Sequence, residues 1–579
     1  MYFGGKSMKK KCIALLIVGA MLMGMLIGCK SNEKDPEPVT VKDPTTTETT
    51  PADEPTVAPV VSRIKDGKMI EPTTITTGRA INSSVLFKNG ETIENNVHTK
   101  WVKDNLNINI KYDWVVSEEG GAFETKIKLL LASGDKLPDV MTIWWKSPLY
   151  SQLIESGKIM DVSEAYETYA SQRTKDLYNA FPESWYTVQK DSAKWGLPIL
   201  TTADGADSVL WIRTDWLENL GLSEPKTISE LETVMEAFTN QDPDQNGKKD
   251  TLGLSMASKG WVGGWMADTN YLWGAVAGAF PFRWGVVEDG SLAYGSVQPK
   301  IKDALGYLKK WYDNGYIDKE IALTDENKAA ENFNSGKAGI ICGPYWMAGW
   351  PLPDLAKNIP GATFKAIPIP TNDNGDLKRF TGFGADYITV FSKDFENMDA
   401  YFLYYDTILG SRISDESSPL YYGLAEDYDY TMVDGKVSYI QDQIPGGYIN
   451  VNKYLLSDVN TNSKASNQLP FEIRVLNNDL KTDKDKAMAL GQIPEVLAAY
   501  KMVYEQNKEC GVYDAYLGSD TPTMLTKRQL LEKMENEVFI QIIYGQIELD
   551  AFDKFVSDWK INGGDDITKE VNEWWQSVK

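Results

Sequence analysis

Histidine is almost missing from this chain: His98 is the only one among 579 residues. One imidazole cannot build a His-rich metal site, and its surroundings, ETIENNVHTKWVKDN, read as an ordinary helix. Cysteine is nearly as scarce, with four. Cys12 and Cys29 fall in the first thirty residues, which leaves Cys342 and Cys510. Cys342 lies in an apolar run and reads as core, and sequence leaves open whether the two pair. G-x-S-x-G, C-x-x-C and the phosphate-binding P-loop pattern do not occur, so nucleophilic, thiol-redox and P-loop chemistry have no motif behind them. Positive charge is also short. Lys and Arg number 59 against 82 Asp and Glu, a net charge of −23. That balance disfavours nucleic acid and anionic headgroups as partners. No 20–50-residue repeat is visible, so a solenoid is not expected.

The N-terminus sets the compartment. Lys9, Lys10 and Lys11 precede an apolar run from Ile13 to Ile27 that ends in LIGC. The run is too short for a spanning helix, which needs about 20 apolar residues. Residues 1–28 therefore read as a bacterial lipoprotein signal peptide, with Cys29 as the lipidated first residue of the processed protein. Losing those residues, with their four lysines, takes the charge from −23 to −27. Ser31 to Ser62 holds seven Thr, six Pro and seven acids. Such a tract buries no core, and residues 29–71 read as an extended tether. The expected location is the outer face of a bacterial cell membrane, lipid-anchored.

About 510 residues follow, too many for one core, so two domains are expected. Helical periods alternate with short apolar runs, which indicates an α/β class. Ser229–Glu232 reads as a capping box ahead of Leu231, Val234, Met235 and Phe238 on one face. A second helix opens at Pro299 and stops at Gly315. Buried strands are expected at Val140–Trp144, Val209–Ile212, Ala338–Cys342 and Tyr387–Phe391.

Two features carry chemistry. The first is QDPDQNGKKDTLGL. Asp242, Asp244, Asn246, the carbonyl of Lys248 and Asp250 fall at positions 1, 3, 5, 7 and 9 of an EF-hand loop, with Gly247 at the turn. Position 12 is Gly253, which cannot supply the bidentate carboxylate. A weak structural calcium site is expected, since a single copy does not suit a paired sensor. The second is tryptophan, with eighteen. Trp144, Trp145, Trp261, Trp265, Trp273, Trp284 and Trp346 cluster with Tyr345, several in Gly-rich segments unsuited to helix cores. Flat aromatic faces pack on the C–H faces of sugars, while carboxylates and amides take the hydroxyls. An aromatic-lined sugar groove follows from the set. Arg283, beside Trp284, reads more simply as a surface arginine than as a partner for a uronate.

The segments ASGDKLPDV, WIRTDWLENLGL, DPDQNGKKDTLGL, YLKKWYDNGYIDKEI, FNSGKAGIICGPYWM and GFGADYITVFS occur in this order from about Pro72 onward. In that order the chain resembles the extracellular solute-binding proteins of carbohydrate ABC importers, particularly large Gram-positive lipoproteins related to alginate-oligosaccharide binders. Lys136 departs from the family's usual ASGDLPD run and lengthens a surface turn. The resemblance implies a type II periplasmic-binding-protein fold: two α/β lobes, 72–203 with 384–455 and 204–383 with 456–579, and a ligand cleft between them. It places crossings near Asp204–Val209 and Gly382–Asp386, which brings Asp386 to the ligand. It also implies a remote calcium staple at Asp242–Asp250.

The function these readings imply is capture without catalysis. A monomer would close on an oligosaccharide by hinge motion and present it to membrane permease subunits. The enzyme alternative, an extracellular glycoside hydrolase, needs two suitably spaced carboxylates in the groove, and no sequence feature picks a pair. A surface sugar sensor or adhesion protein would share the same cleft.

Overall fold

The computed structural model describes residues 62–579, apart from Ser83, Asp191, Gly260, Trp261, Gly263, Ser414 and 461–468. The signal peptide, Cys29 and most of the tether lie outside the described residues, as does Trp261. Among the described residues, no helix is long and apolar enough to cross a membrane.

Two separate sheets organise the molecule. The first has five strands in the order Ile108–Ser117, Thr73–Ile81, Val140–Trp144, Ala385–Phe391 and Leu197–Leu200. Its opening strands pair in parallel and the Ala385–Phe391 strand runs antiparallel to both neighbours. The second has four, in the order Leu252–Ser255, Ala338–Pro344, Ser208–Arg213 and Phe364–Ile367. Helices flank both sheets, as near-continuous apolar strands such as AGIICGP require, since a sheet buried on both faces must be covered on both. The strands at Val140–Trp144, Ser208–Arg213, Ala338–Pro344 and Ala385–Phe391 contain those read from sequence. The class is α/β and two-lobed.

Each sheet has its own core. Val140, Met141, Ile143, Ile388, Val390 and the tyrosines of the Met398–Arg412 helix fill the first. His98 belongs here, 1% exposed, with Nε2 3.0 Å from the Tyr404 hydroxyl. Burial and the nearby Arg79 and Arg412 push its pKa down to about 3, so it is a neutral core residue at ordinary pH. Leu210, Ile212, Ile340 and Cys342 anchor the second core, over which the C-terminal helices Pro522–Ile543, Ala551–Trp559 and Asp565–Val578 close. Leu456, Val459 and Leu517, from late in the chain, pack into the first core. Cys342 and Cys510 are both free thiols.

Sequence misplaced one helix start by two residues. The Ile228–Asn240 helix is capped by Thr227, not Ser229: the Thr227 hydroxyl accepts from Glu230 N, and the Glu230 carboxylate accepts from Lys226 N at 2.7 Å. Thr227 holds the extended backbone a cap needs, and Ser229 already lies inside the helix. The second helix begins at Ile301, after a turn at Gln298–Lys300, and ends beside Gly315 with φ 74°.

Candidate functional site: the cleft between the sheets

The chain passes directly from the first sheet to the second through residues 201–207, and back through 381–384. These two segments touch, with Thr201 N donating to the Gly384 carbonyl at 2.9 Å. A Cβ on Gly382 would stand 2.3 Å from the Ala203 carbonyl oxygen, so only glycine permits this approach. A third segment lies alongside, where Arg379–Phe380 pairs in parallel with Gly511–Val512. Arg379 is 3% exposed and ties the bundle together. Its guanidinium donates to Asn507 Oδ1 and Gln506 Oε1, both at 2.9 Å, and to the Ser208 carbonyl. Burial raises the neighbouring Asp207 to about 6 despite Arg379 and a bond from Asn507.

Two cavities of about 440 Å³ each open beside these crossings. Both are walled by Trp144, Trp145, Lys146, Arg283 and Asp514, so they form one continuous cleft. The chamber at the crossings adds Trp265, Asp268, Arg379, Phe380 and Asp386. The other chamber reaches the C-terminal helices and adds Trp284, Tyr294, Tyr516, Arg528 and Trp559.

Trp144 stands where the chambers meet. It ends its strand, directly opposite Tyr387 on the neighbouring strand, and both rings are 47% exposed. A half-exposed indole inside a cleft offers a free π-face, which a core indole does not. Trp145, the next residue, also lines both chambers but is only 6% exposed, with the Lys146 ammonium 4.8 Å from its ring. Lys146 forms an ion pair with Asp514, whose other oxygen accepts Trp284 N at 3.0 Å. Arg528 pairs with Asp520 and donates to the Lys146 carbonyl at 3.2 Å. The loop carrying Trp144 and Trp145 is thus held from across the cleft.

The nine ligand residues read from sequence divide into three groups. Trp144, Trp145, Trp265, Trp284 and Asp386 line the cleft. Trp261 is outside the described residues. Trp273, Tyr345 and Trp346 do not line either chamber. Trp273 is fully buried: Nε1 donates to Thr269 Oγ1 at 2.9 Å, and the ring lies 6.3 Å from Phe539. A π-helical turn, Trp273–Ala277, rotates it into the second core despite the glycines around it. Tyr345 packs edge-on to Tyr500 at 4.8 Å. Trp346 stacks on both Trp265 and Trp350, and Nε1 donates to the Gly205 carbonyl at 2.9 Å. Trp346 therefore links the aromatic wall to the first crossing. Sequence reading missed Asp514, Tyr516 and Arg528. The stretch YDAYLGSD, which mixes aromatics with acids between helices, is the signal that marks Asp514 and Tyr516, while Arg528 lies in the helix that follows and has no such signal.

Beneath the second chamber Glu535 is 0% exposed and accepts from the Tyr294 hydroxyl at 3.0 Å and from Ser296. Burial raises its pKa to about 8. The folded protein therefore holds a proton that the unfolded chain has released above the ordinary carboxyl range. Stability should fall as pH rises from about 4.5 toward 8. Glu535→Gln is expected to stabilise the protein by roughly 2–4 kcal/mol near pH 7 and to have little effect near pH 4.5. Melting temperatures of both proteins across that range would check it, and parallel curves would refute it.

The acidic loop lies elsewhere, on the surface. Asp242, Gln245 and Gly247 take φ of 50°, 57° and 78°. Asn246 Nδ2 donates to Asp244 at 2.7 Å and to Asp250 at 3.2 Å, and Gly247 N donates to Asp242 at 3.0 Å. Oxygens from all three carboxylates and the amide thus gather in one loop, the donor chemistry calcium prefers. Lys248 N donates to Asn246 Oδ1 at 2.7 Å. Two neighbours contribute nothing: Thr251 donates its hydroxyl to the Phe238 carbonyl, and a Cβ at Gly253 would strike Met235 at 2.6 Å. Among the described residues, no group of three or more His, Cys, Asp or Glu is placed to hold a metal ion.

The sequence profile described as "Bacterial extracellular solute-binding protein" matches residues 86–394, which carry strands of both sheets and both crossings. The chain is a bacterial extracellular solute-binding protein. This solute-binding protein is 25% identical over 475 residues to lipoprotein LipO of Bacillus subtilis strain 168, covering 81% of this chain and 87% of LipO. It is 25% identical over 474 residues to the polygalacturonan/rhamnogalacturonan-binding protein YtcQ of the same organism, covering 79% and 84% of the two chains. Its fold is shared with alginate-binding protein AlgQ2, solved without calcium ion, at a TM-score of 0.63 and 17% identity, covering 87% and 98%. The Streptococcus pneumoniae ABC-transporter substrate-binding protein FusA in complex with kestose gives 0.62 and 16%, covering 88% and 100%. Members of the family bind solutes.

Proposed function

We propose that this protein is the substrate-binding lipoprotein of an ABC importer that captures oligosaccharides in the aromatic cleft and delivers them to permease subunits. The observation that carries this reading is the pair of joined chambers between the two sheets. Their walls alternate indole and phenol rings with carboxylates, the combination that sugar rings and hydroxyls require. YtcQ, a polygalacturonan/rhamnogalacturonan-binding protein, and FusA, solved in complex with kestose, support the cargo class.

The lobes run over 72–203 with 384–455 and over 204–383 with 456–579. The crossings act as a hinge, closing the aromatics of the second lobe onto sugar held at Trp144. Asp386 belongs to the same wall. The protein works as a monomer tethered through lipidated Cys29. No bond of the cargo is broken, so a reducing-sugar assay on bound oligosaccharide should detect no product. The test is a melting-temperature screen of the purified protein against plant and algal oligosaccharides. A rise with one class, with the sugar recovered intact, supports the reading. No rise with any sugar refutes it.

We assign the 242–250 loop to a structural calcium ion held by Asp242, Asp244, Asn246, the Lys248 carbonyl and Asp250. AlgQ2, solved without calcium ion, and FusA, solved as an EF-hand mutant, support this. Bound calcium would neutralise the crowded carboxylates. EDTA should lower the melting temperature, and excess calcium should restore it. Affinity should be weak, about 10⁻⁴–10⁻³ M, because position 12 lacks a carboxylate. An EDTA-insensitive melting curve would count against the site.

A further inference from the structure

We propose that the cleft selects neutral oligosaccharides and rejects uronate-containing ones. This rests on the oligosaccharide reading above and adds the charge of the cargo.

Five cations line the two chambers: Lys146, Arg283, Lys378, Arg379 and Arg528. Four are already committed. Lys146 is paired with Asp514, and Arg528 with Asp520 and the Lys146 carbonyl. Arg379 spends its guanidinium on Asn507, Gln506 and the Ser208 carbonyl. Arg283 donates to the Phe282 carbonyl at 3.3 Å and stacks 5.1 Å from the Phe380 ring. Lys378 stands exposed at the rim, where water screens it.

Six acids face these cations: Asp207, Asp268, Asp386, Asp514, Asp520 and Glu532. Acids outnumber cations by one, and every sugar carboxylate would add another negative charge. Burial already raises the pKa of Asp207, Asp268, Asp386 and Asp520, which indicates surroundings that resist further anionic charge. A uronate could take Lys146 or Arg528 only by breaking an internal ion pair, which would leave Asp514 or Asp520 unpaired, and could take Arg379 only from Asn507, Gln506 and the Ser208 carbonyl. Neutral hydroxyls meet no such obstacle. They donate to the free lone pairs of Asp268, Asp386 and Asp514, while Trp144, Trp265 and Tyr294 offer their faces.

The experiment measures Kd of the full chain by calorimetry for neutral gluco-, xylo-, fructo- and arabino-oligosaccharides and for oligogalacturonates of matched length, at low and high salt. At least one neutral class should bind about a hundredfold more tightly than every oligogalacturonate, since charge placed among unpaired like charges is strongly disfavoured. Its Kd should also change by less than about twofold between 50 and 500 mM salt, because no charge–charge contact is screened. Equal or tighter binding of an oligogalacturonate, or a Kd weakening tenfold with salt, overturns the charge selection and leaves the oligosaccharide cargo standing. Binding of neither class overturns the cargo reading itself.

Discussion

Trp144→Ala is expected to weaken oligosaccharide binding by about 10–100-fold, because a Trp side chain at the centre of a binding surface contributes on the order of 2 kcal/mol or more. Trp144 is 47% exposed, is shared by both chambers and lies beside the equally exposed Tyr387. Removing it takes away a stacking face while disturbing little of the core, so the melting temperature without sugar should hardly move. Calorimetry on the variant gives the first number and a thermal scan the second. Unchanged affinity would mean that cargo lies wholly within one chamber, away from the junction.

Trp273→Ala should do the reverse. Its indole is fully exposed to protein and not to water, and truncating a core Trp costs about 3–5 kcal/mol. The loss combines a cavity against Phe539 with a Thr269 hydroxyl left without its indole donor. A large fall in denaturation midpoint is expected, while the folded fraction keeps its sugar affinity. A stable variant that had lost binding would move Trp273 from the core to the site. Together the two variants separate indoles that hold the fold from indoles that hold the cargo, a separation composition alone does not make.

Much of the protein was legible before any coordinates. The order of six short segments identified the family, because each encodes a local necessity: a strand end, a cap, a glycine turn. The strand at Ala338–Pro344 was plain because a strand buried on both faces is apolar throughout. The cap at Thr227 was misread because two hydroxyl residues stand two positions apart, and only backbone dihedrals distinguish cap from first turn.

The aromatic site was half legible for a different reason. Val140–Trp144 reads as a strand from its apolar run, so Trp144 at its end and Trp145 just beyond it sit at the edge of the sheet. Trp265 and Trp273 share one Gly-rich segment, and nothing local separates them. A π-helical turn sends the second inward, and that turn depends on packing against distant residues such as Phe539. Asp514, Asp520 and Arg528 reach the cleft from more than 350 residues beyond Trp144. No spacing rule connects them to it.

The sequence by itself determined the acidic charge, the α/β class and the family, because each follows from local composition or short-range pattern. Only the tertiary structure decided which indoles face the cleft and which cations are already paired inside it. Those two properties arise from contacts between segments hundreds of residues apart, and burial and pairing do not exist until such segments meet.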